Sequence, residues 1–141
     1  MNKKVFLDTN IILDLLGKRV PFYDTAATLF SFGDRKVLKL YISSLTFANI
    51  HYILSKQKGS NKTKEILRKF KVLVTVLPVD DKIIELALNS NMKDFEDAIQ
   101  YFCAIEQNLK VIITRNKKDF YSGSSDVSIL TAEEYLKTFL V

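Results

Sequence analysis

Apolar residues fall along this chain in two alternating rhythms: short unbroken runs, then longer stretches where they return every three or four positions. Val5-Phe6-Leu7 is the first run. Apolar residues at consecutive positions over so short a span predict a strand buried on both faces. The run stops at Asp8. Thr9 and Asn10 can cap a helix that carries Ile11, Ile12, Leu15 and Leu16 at helical spacing. Gly17 and Pro21 punctuate, and Phe22 to Phe32 predicts an amphipathic helix with Phe22, Ala26, Leu29 and Phe30 inward, closed by Gly33-Asp34-Arg35. Leu38 to Ile42 is a second strand, with Ser43 and Ser44 as caps for an apolar helix from Leu45 to Leu54. A polar turn over Lys56 to Asn61, containing Gly59, precedes a short basic helix from Thr63 to Phe70. Val72 to Leu77 is a third strand stopped by Pro78. Asp80 or Asp81 then caps a helix through Ile83, Ile84, Ala87 and Leu88, which Asn89-Ser90-Asn91 breaks. Asp94 to Gln107 is a long helix, apolar around most of its circumference and therefore central. Lys110 to Thr114 is a fourth strand, Phe120 to Asp126 a loop and Val127 to Leu130 a short fifth strand. Thr131-Ala132-Glu133-Glu134 opens the last helix as a capping box.

Strands alternating with helices predict the α/β class, a parallel sheet of four or five strands joined by right-handed crossovers. A chain of 141 residues is the size of one domain, 1–141, with no internal repeat, low-complexity tract or linker. Apolar residues make up 48% and charged residues 26%, the balance of a soluble globular protein. No apolar run approaches the roughly 20 residues a membrane span needs, so no membrane partner is expected. The apolar stretch before Asp8 is too short for a secretory signal. A single cysteine, Cys103, forbids an intrachain disulfide, suits a reducing cytoplasm and reads as core. Cys103 and the lone His51 also exclude a thiolate or imidazole metal site. Any metal would be held by oxygen, which favours Mg²⁺ or Mn²⁺. The net charge of +5 permits an anionic partner such as RNA without demanding one.

Asp8 stands where a buried strand gives way to a helix. In an open parallel sheet the crevice beyond the carboxyl ends of the strands is where ligands bind. A carboxylate there is costly unless a cation, a donor or water receives it. Two readings of Asp8 stand side by side: a metal ligand, or a helix cap that happens to be acidic. Asp94 and Asp97 share a face near the start of the long helix. Asp94 fits the ordinary preference of helix N-termini for carboxylates, whereas Asp97 begins a buried face. Asp119 lies just beyond the fourth strand as Asp8 lies beyond the first. If those strands are neighbours, Asp8, Asp97 and Asp119 converge on one crevice. Three carboxylates in one crevice repel each other and need a cation. Divalent ions so held orient phosphates, activate water and stabilise a leaving oxygen.

Asp8-Thr9-Asn10 after a first strand, Asp94-Phe95-Glu96-Asp97-Ala98 in a late helix and Thr114-Arg115-Asn116-Lys117-Lys118-Asp119-Phe120 resemble the PIN domain, closest to its bacterial branch of VapC-like toxins. The resemblance covers essentially the whole chain. It implies a PIN-like three-layer α/β/α fold and a Mg²⁺- or Mn²⁺-dependent endoribonuclease acting on RNA. It places Asp8, Asp97 and Asp119 at the acidic metal-site positions, with Thr114 or Asn116 as supporting polar groups. It implies too an antitoxin protein as a possible partner and a homodimer, which the apolar end of the chain, Tyr135 to Val141, would suit. Many PIN domains carry a glutamate in the helix after the second strand, and here the matching position is Asn49. An amide oxygen can ligate but brings no negative charge. Asp94, on the face of Asp97, is the expected source of the missing carboxylate.

The remaining polar features carry plainer expectations. Asp14 is expected to pair at the surface with Lys18 or Arg19. Glu96, about 100° around the helix from Asp97, is expected in solvent, and His51 is expected to cap or pack. Lys56, Lys58, Lys62, Lys64, Arg68, Lys69 and Lys71 read as a solvated face more than a phosphate-binding one, with no aromatic interleaved before Phe70. Arg115, beside the crevice, is placed to steer or bind a phosphate of RNA. Two rival readings stay open. One is a non-catalytic RNA- or protein-binding module, favoured by Asn49. The other is a receiver-type phosphoacceptor domain, disfavoured because the late strand ends in Thr114-Arg115 and not in lysine.

Overall fold

The computed structural model describes residues 3–120 and 126–139, the side chain of Phe139 excepted. Five strands, β1 (Lys3–Leu7), β2 (Leu38–Ser43), β3 (Thr75–Leu77), β4 (Val111–Ile113) and β5 (Ser128–Leu130), form one sheet in the order β3-β2-β1-β4-β5. Every pair is parallel. Seven helices are found among the described residues: α1 (Thr9–Leu16), α2 (Tyr23–Asp34), α3 (Ser44–Lys58), α4 (Ser60–Lys71), α5 (Asp81–Leu88), α6 (Phe95–Glu106) and α7 (Ala132–Phe139). A 3₁₀ turn spans Lys117–Phe120.

Side chains of a strand alternate between its two faces, and the run Val5-Phe6-Leu7 divides accordingly. Val5 and Leu7, with Leu40, Ile42 and Ile113, meet α1, α2, α3, α4 and α7 on one face. Phe6, Tyr41, Leu77 and Ile112 meet α6 and Phe120 on the other, where α5 packs along α6. The result is three layers, α/β/α. Burial on both faces is why these strands are unbroken apolar runs. Cys103 belongs to the α6 side of the core, where burial pushes its thiol up to about 12.

Several expected boundaries move. The polar turn of Lys56 to Asn61 contracts to Gly59, with α3 on one side and α4 on the other. Its φ of 81° lies in the left-handed region that glycine adopts without strain. The third strand begins at Thr75, because Val72 sits at the end of α4 and is 85% exposed. Apolar, β-branched composition marked Val72 as strand, but α4 retains it after burying Thr63, Leu67 and Phe70. Thr131 and Glu134 form the expected capping box, each side chain accepting from the other's backbone N–H. Tyr135 and Leu136 of α7 are buried in the chain's own core, so they are not free to meet a second copy. The end of that segment, and residues 121–125 of the serine-rich loop, lie outside the described residues.

Candidate active site

All five parallel strands point their carboxyl ends to one edge of the sheet. A cleft of about 420 Å³ opens there. Asp8 enters it from the end of β1, Asn49 from α3, Asp94, Glu96 and Asp97 from the first turn of α6, and Asn116 and Asp119 from the segment after β4. Parallel pairing of β1 with β4, Leu7 opposite Ile113, brings the two segments side by side although they are far apart in the chain.

Asp8 is both the helix cap and the deepest acid of the cleft. Its backbone N–H donates to the Ile113 carbonyl at 3.0 Å, the last rung between β1 and β4. Its Oδ1 accepts from the Thr9 backbone N–H at 2.8 Å, so it is Asp8, and not Thr9 or Asn10, that caps α1. Its Oδ2 accepts from Thr114 Oγ1 at 2.9 Å, and Thr114 Oγ1 in turn accepts from the Asn116 backbone N–H at 3.0 Å. Only 4% of Asp8 is exposed. Burial raises its carboxyl above the usual carboxylate range, opposed by donation from Thr114, Thr9 and Gln100. None of those donors carries a charge, so the negative charge of Asp8 has no cationic partner among them.

Asp97 reports how crowded the cleft is. Its carboxyl is pushed up to about 7, first by burial and then by the negative charges of Asp8, Asp94, Asp119 and Glu96. Four acids therefore surround a fifth. Among the described residues no three acids close on one point as a finished metal cage. Asp94 is also the N-cap of α6, with Oδ1 accepting from the Asp97 backbone N–H at 3.0 Å.

Two features escaped the sequence. Glu96 is exposed as expected, yet it lines the cleft, and Asn49 Nδ2 donates to its Oε2 at 3.5 Å. The residue at the position where many PIN domains carry a glutamate thus contacts Glu96. The second feature is Gln100, 2% exposed. Its Nε2 donates to Thr9 Oγ1 at 3.0 Å and Thr46 Oγ1 at 2.9 Å, and its Oε1 accepts from Ser43 Oγ. This amide ties α6 to the start of α1, the end of β2 and α3. Its signal was present in the sequence: a polar residue one turn after Asp97 on an otherwise apolar face.

Asp14 departs from expectation. It is 1% exposed and pairs with Arg115, which donates through Nε at 3.0 Å and Nη2 at 3.1 Å, and not with Lys18 or Arg19. The position faces inward from α1, and a carboxylate there needs a forked donor that matches both its oxygens. Burial raises the Asp14 carboxyl, and the Arg115 charge works against that rise. His51 stays on α3, its Nε2 3.1 Å from Ser60 Oγ across the Gly59 turn.

A family model described as PIN domain matches residues 4–118. Over 138 residues, covering 95% of this chain and 94% of the relative, the chain is 30% identical to Ribonuclease VapC1 of Aquifex aeolicus (strain VF5). A toxin-antitoxin complex from Klebsiella pneumoniae superposes with a TM-score of 0.66 at 24% identity, covering 91% of this chain and 97% of that one. VapC20 of Mycobacterium tuberculosis, a sarcin-ricin loop cleaving toxin, does so with a TM-score of 0.62 at 16% identity, covering 77% and 86%.

Proposed function

Because the chain belongs to the PIN domain family, we propose that its acidic cleft is the active site of a divalent-metal-dependent endoribonuclease. One observation carries the reading: Asp8, Asp97 and Asp119, from three separate segments, line a single cleft, with Asp94 and Glu96 beside them. The donor set fits a hard divalent cation such as Mg²⁺ or Mn²⁺, since it is built of carboxylate and amide oxygens without sulfur or imidazole. Asp8, Asp97 and Asp119 would hold the ion, with Asp94, Glu96 and the Asn49 amide completing the charge and the contacts. Bound there, such an ion activates water and stabilises the leaving oxygen of a phosphodiester. The chain's own part is geometric. Thr114 and the Thr9 N–H fix both oxygens of Asp8, Gln100 fixes α6 and hence Asp97, and Asn116 is tied back to Thr114.

The likeness to Ribonuclease VapC1 supports RNA as substrate. The likeness to a toxin-antitoxin complex supports an antitoxin protein as partner. The binding-module reading rested on the carboxylate missing at Asn49, and Glu96 beside that amide returns a carboxylate to the cleft.

Asp8→Asn tests the assignment, because it keeps the shape and removes the charge. It should abolish Mn²⁺-dependent cleavage of single-stranded RNA while leaving the circular dichroism spectrum unchanged, as relieving carboxylate repulsion does not unfold a domain. Cleavage at the parental rate would refute the site. A homodimer is the proposed assembly, and light scattering after size-exclusion chromatography at micromolar concentration should give twice the chain mass of 16.2 kDa. A strict monomer would reject it.

A further inference from the structure

Next to the acidic cleft lies a second cavity, of about 430 Å³. Phe22, which precedes α2, and Thr25 and Ala26 of α2 form one wall, Arg115 and Asn116 another, and Glu133 of α7 part of the rim. Asn116 lines both cavities, so they adjoin. The Arg115 guanidinium lies 4.0 Å from the centroid of the Phe22 ring. Its fork is clamped by Asp14, whose side chain is 2% exposed. This arrangement fixes a flat cation over a flat ring beside a polar rim, within reach of whatever crosses Asn116.

The pairing decides what the cavity suits. Asp14 compensates the charge of Arg115, which leaves little net charge for a phosphate. Two stacked planes and a rim offering a hydroxyl, an amide and a carboxylate suit an uncharged planar heterocycle with hydrogen-bonding edges. Bases of single-stranded RNA are bound in this way, stacked on aromatic rings or guanidinium planes and hydrogen-bonded along their edges. We infer that this cavity receives the base of a nucleotide next to the scissile phosphate. Arg115 is thus a base-stacking residue rather than a phosphate clamp. The inference rests on the ribonuclease reading above.

The experiment uses the full chain with Mn²⁺ and a set of single-stranded RNAs of one sequence, each with one abasic site moved stepwise past the cut. One abasic position beside the cut should lower kcat/KM roughly tenfold, the usual scale for a lost stacking contact. The penalty should vanish in Phe22→Ala, which removes the ring, and in Thr25→Phe, which fills the cavity. Phe22 is 40% exposed, so its truncation is compatible with folding. Independently of either variant, 2-aminopurine at the sensitive position should be quenched on binding to the Asp8→Asn protein. Equal cleavage of all the RNAs, the same penalty in both variants, or unquenched 2-aminopurine would overturn the base subsite and leave the ribonuclease reading intact. No cleavage of any RNA would overturn both.

Discussion

Asn49 and Glu96 show how much the role of one side chain depends on its neighbours in space. In the sequence Asn49 marked a lost carboxylate, with Asp94 as the replacement. In the fold Asp94 caps α6 and still presses its charge on Asp97, and Glu96, facing the Asn49 amide, is a second carboxylate beside it. Affinity for a divalent ion depends on the charge its ligands bring as well as on their geometry. Glu96→Gln should therefore weaken Mn²⁺ binding roughly tenfold in the parent and far less in an Asn49→Glu background. Residues sharing one ligand are non-additive, and calorimetric titration of the four proteins gives the coupling directly. Additive losses would mean that Glu96 acts independently of Asn49, and no loss at all that it serves solvent alone. Nothing in the sequence could connect the two residues, which lie 47 positions apart and meet only because α3 and α6 both begin at the same edge of the sheet.

At the scale of elements, most of the fold was legible because each element carries its own local signal. Strands covered on both faces are short apolar runs, and helices show their buried stripe. Boundaries failed where a local signal pointed the wrong way, as at Val72, or where one glycine did the work of a whole turn, as at Gly59. The docking of one element on another was not legible, because it is carried by contacts distant in sequence. Asp14 meets Arg115 across 101 positions, and Gln100 meets Thr9 across 91. Gln100 is the sharper case. Replacing it with leucine should cost about 1–3 kcal/mol, since it strips a partner from the buried hydroxyls of Ser43 and Thr46 and from the half-buried one of Thr9. It should also loosen α6 against β1 and so lower Mn²⁺ affinity at temperatures where the variant is fully folded. A lower melting temperature with unchanged Mn²⁺ affinity would reduce Gln100 to a packing role.

For the molecule as a whole, the acids of the cleft set a link between pH, metal and stability. Asp97 titrates at about 7 in the folded chain against an ordinary 3.8, so the folded state holds its proton more tightly than the unfolded one. Stability from this group is therefore greatest at low pH and is lost as pH rises from about 4 to 7. Buried Asp8 and Asp14 are shifted in the same direction. In EDTA the melting temperature should fall between pH 5 and pH 8 (a range on the order of the Asp97 shift), and Asp97→Asn should flatten that slope. Mn²⁺ should restore stability most at the alkaline end, by about 2.7 kcal/mol at a hundredfold excess over Kd. A metal-free melting temperature independent of pH would contradict the crowding of the cleft. The strand order β3-β2-β1-β4-β5 carries one more consequence, in the timing of synthesis. The central strand β1 is made before the other four, and its β4 partner follows only after more than a hundred further residues. Until then Asp8 lacks the Thr114 hydroxyl and Asp119 is absent. A chain synthesised only as far as α6 would thus lack Thr114 and Asp119, and with them part of the proposed site.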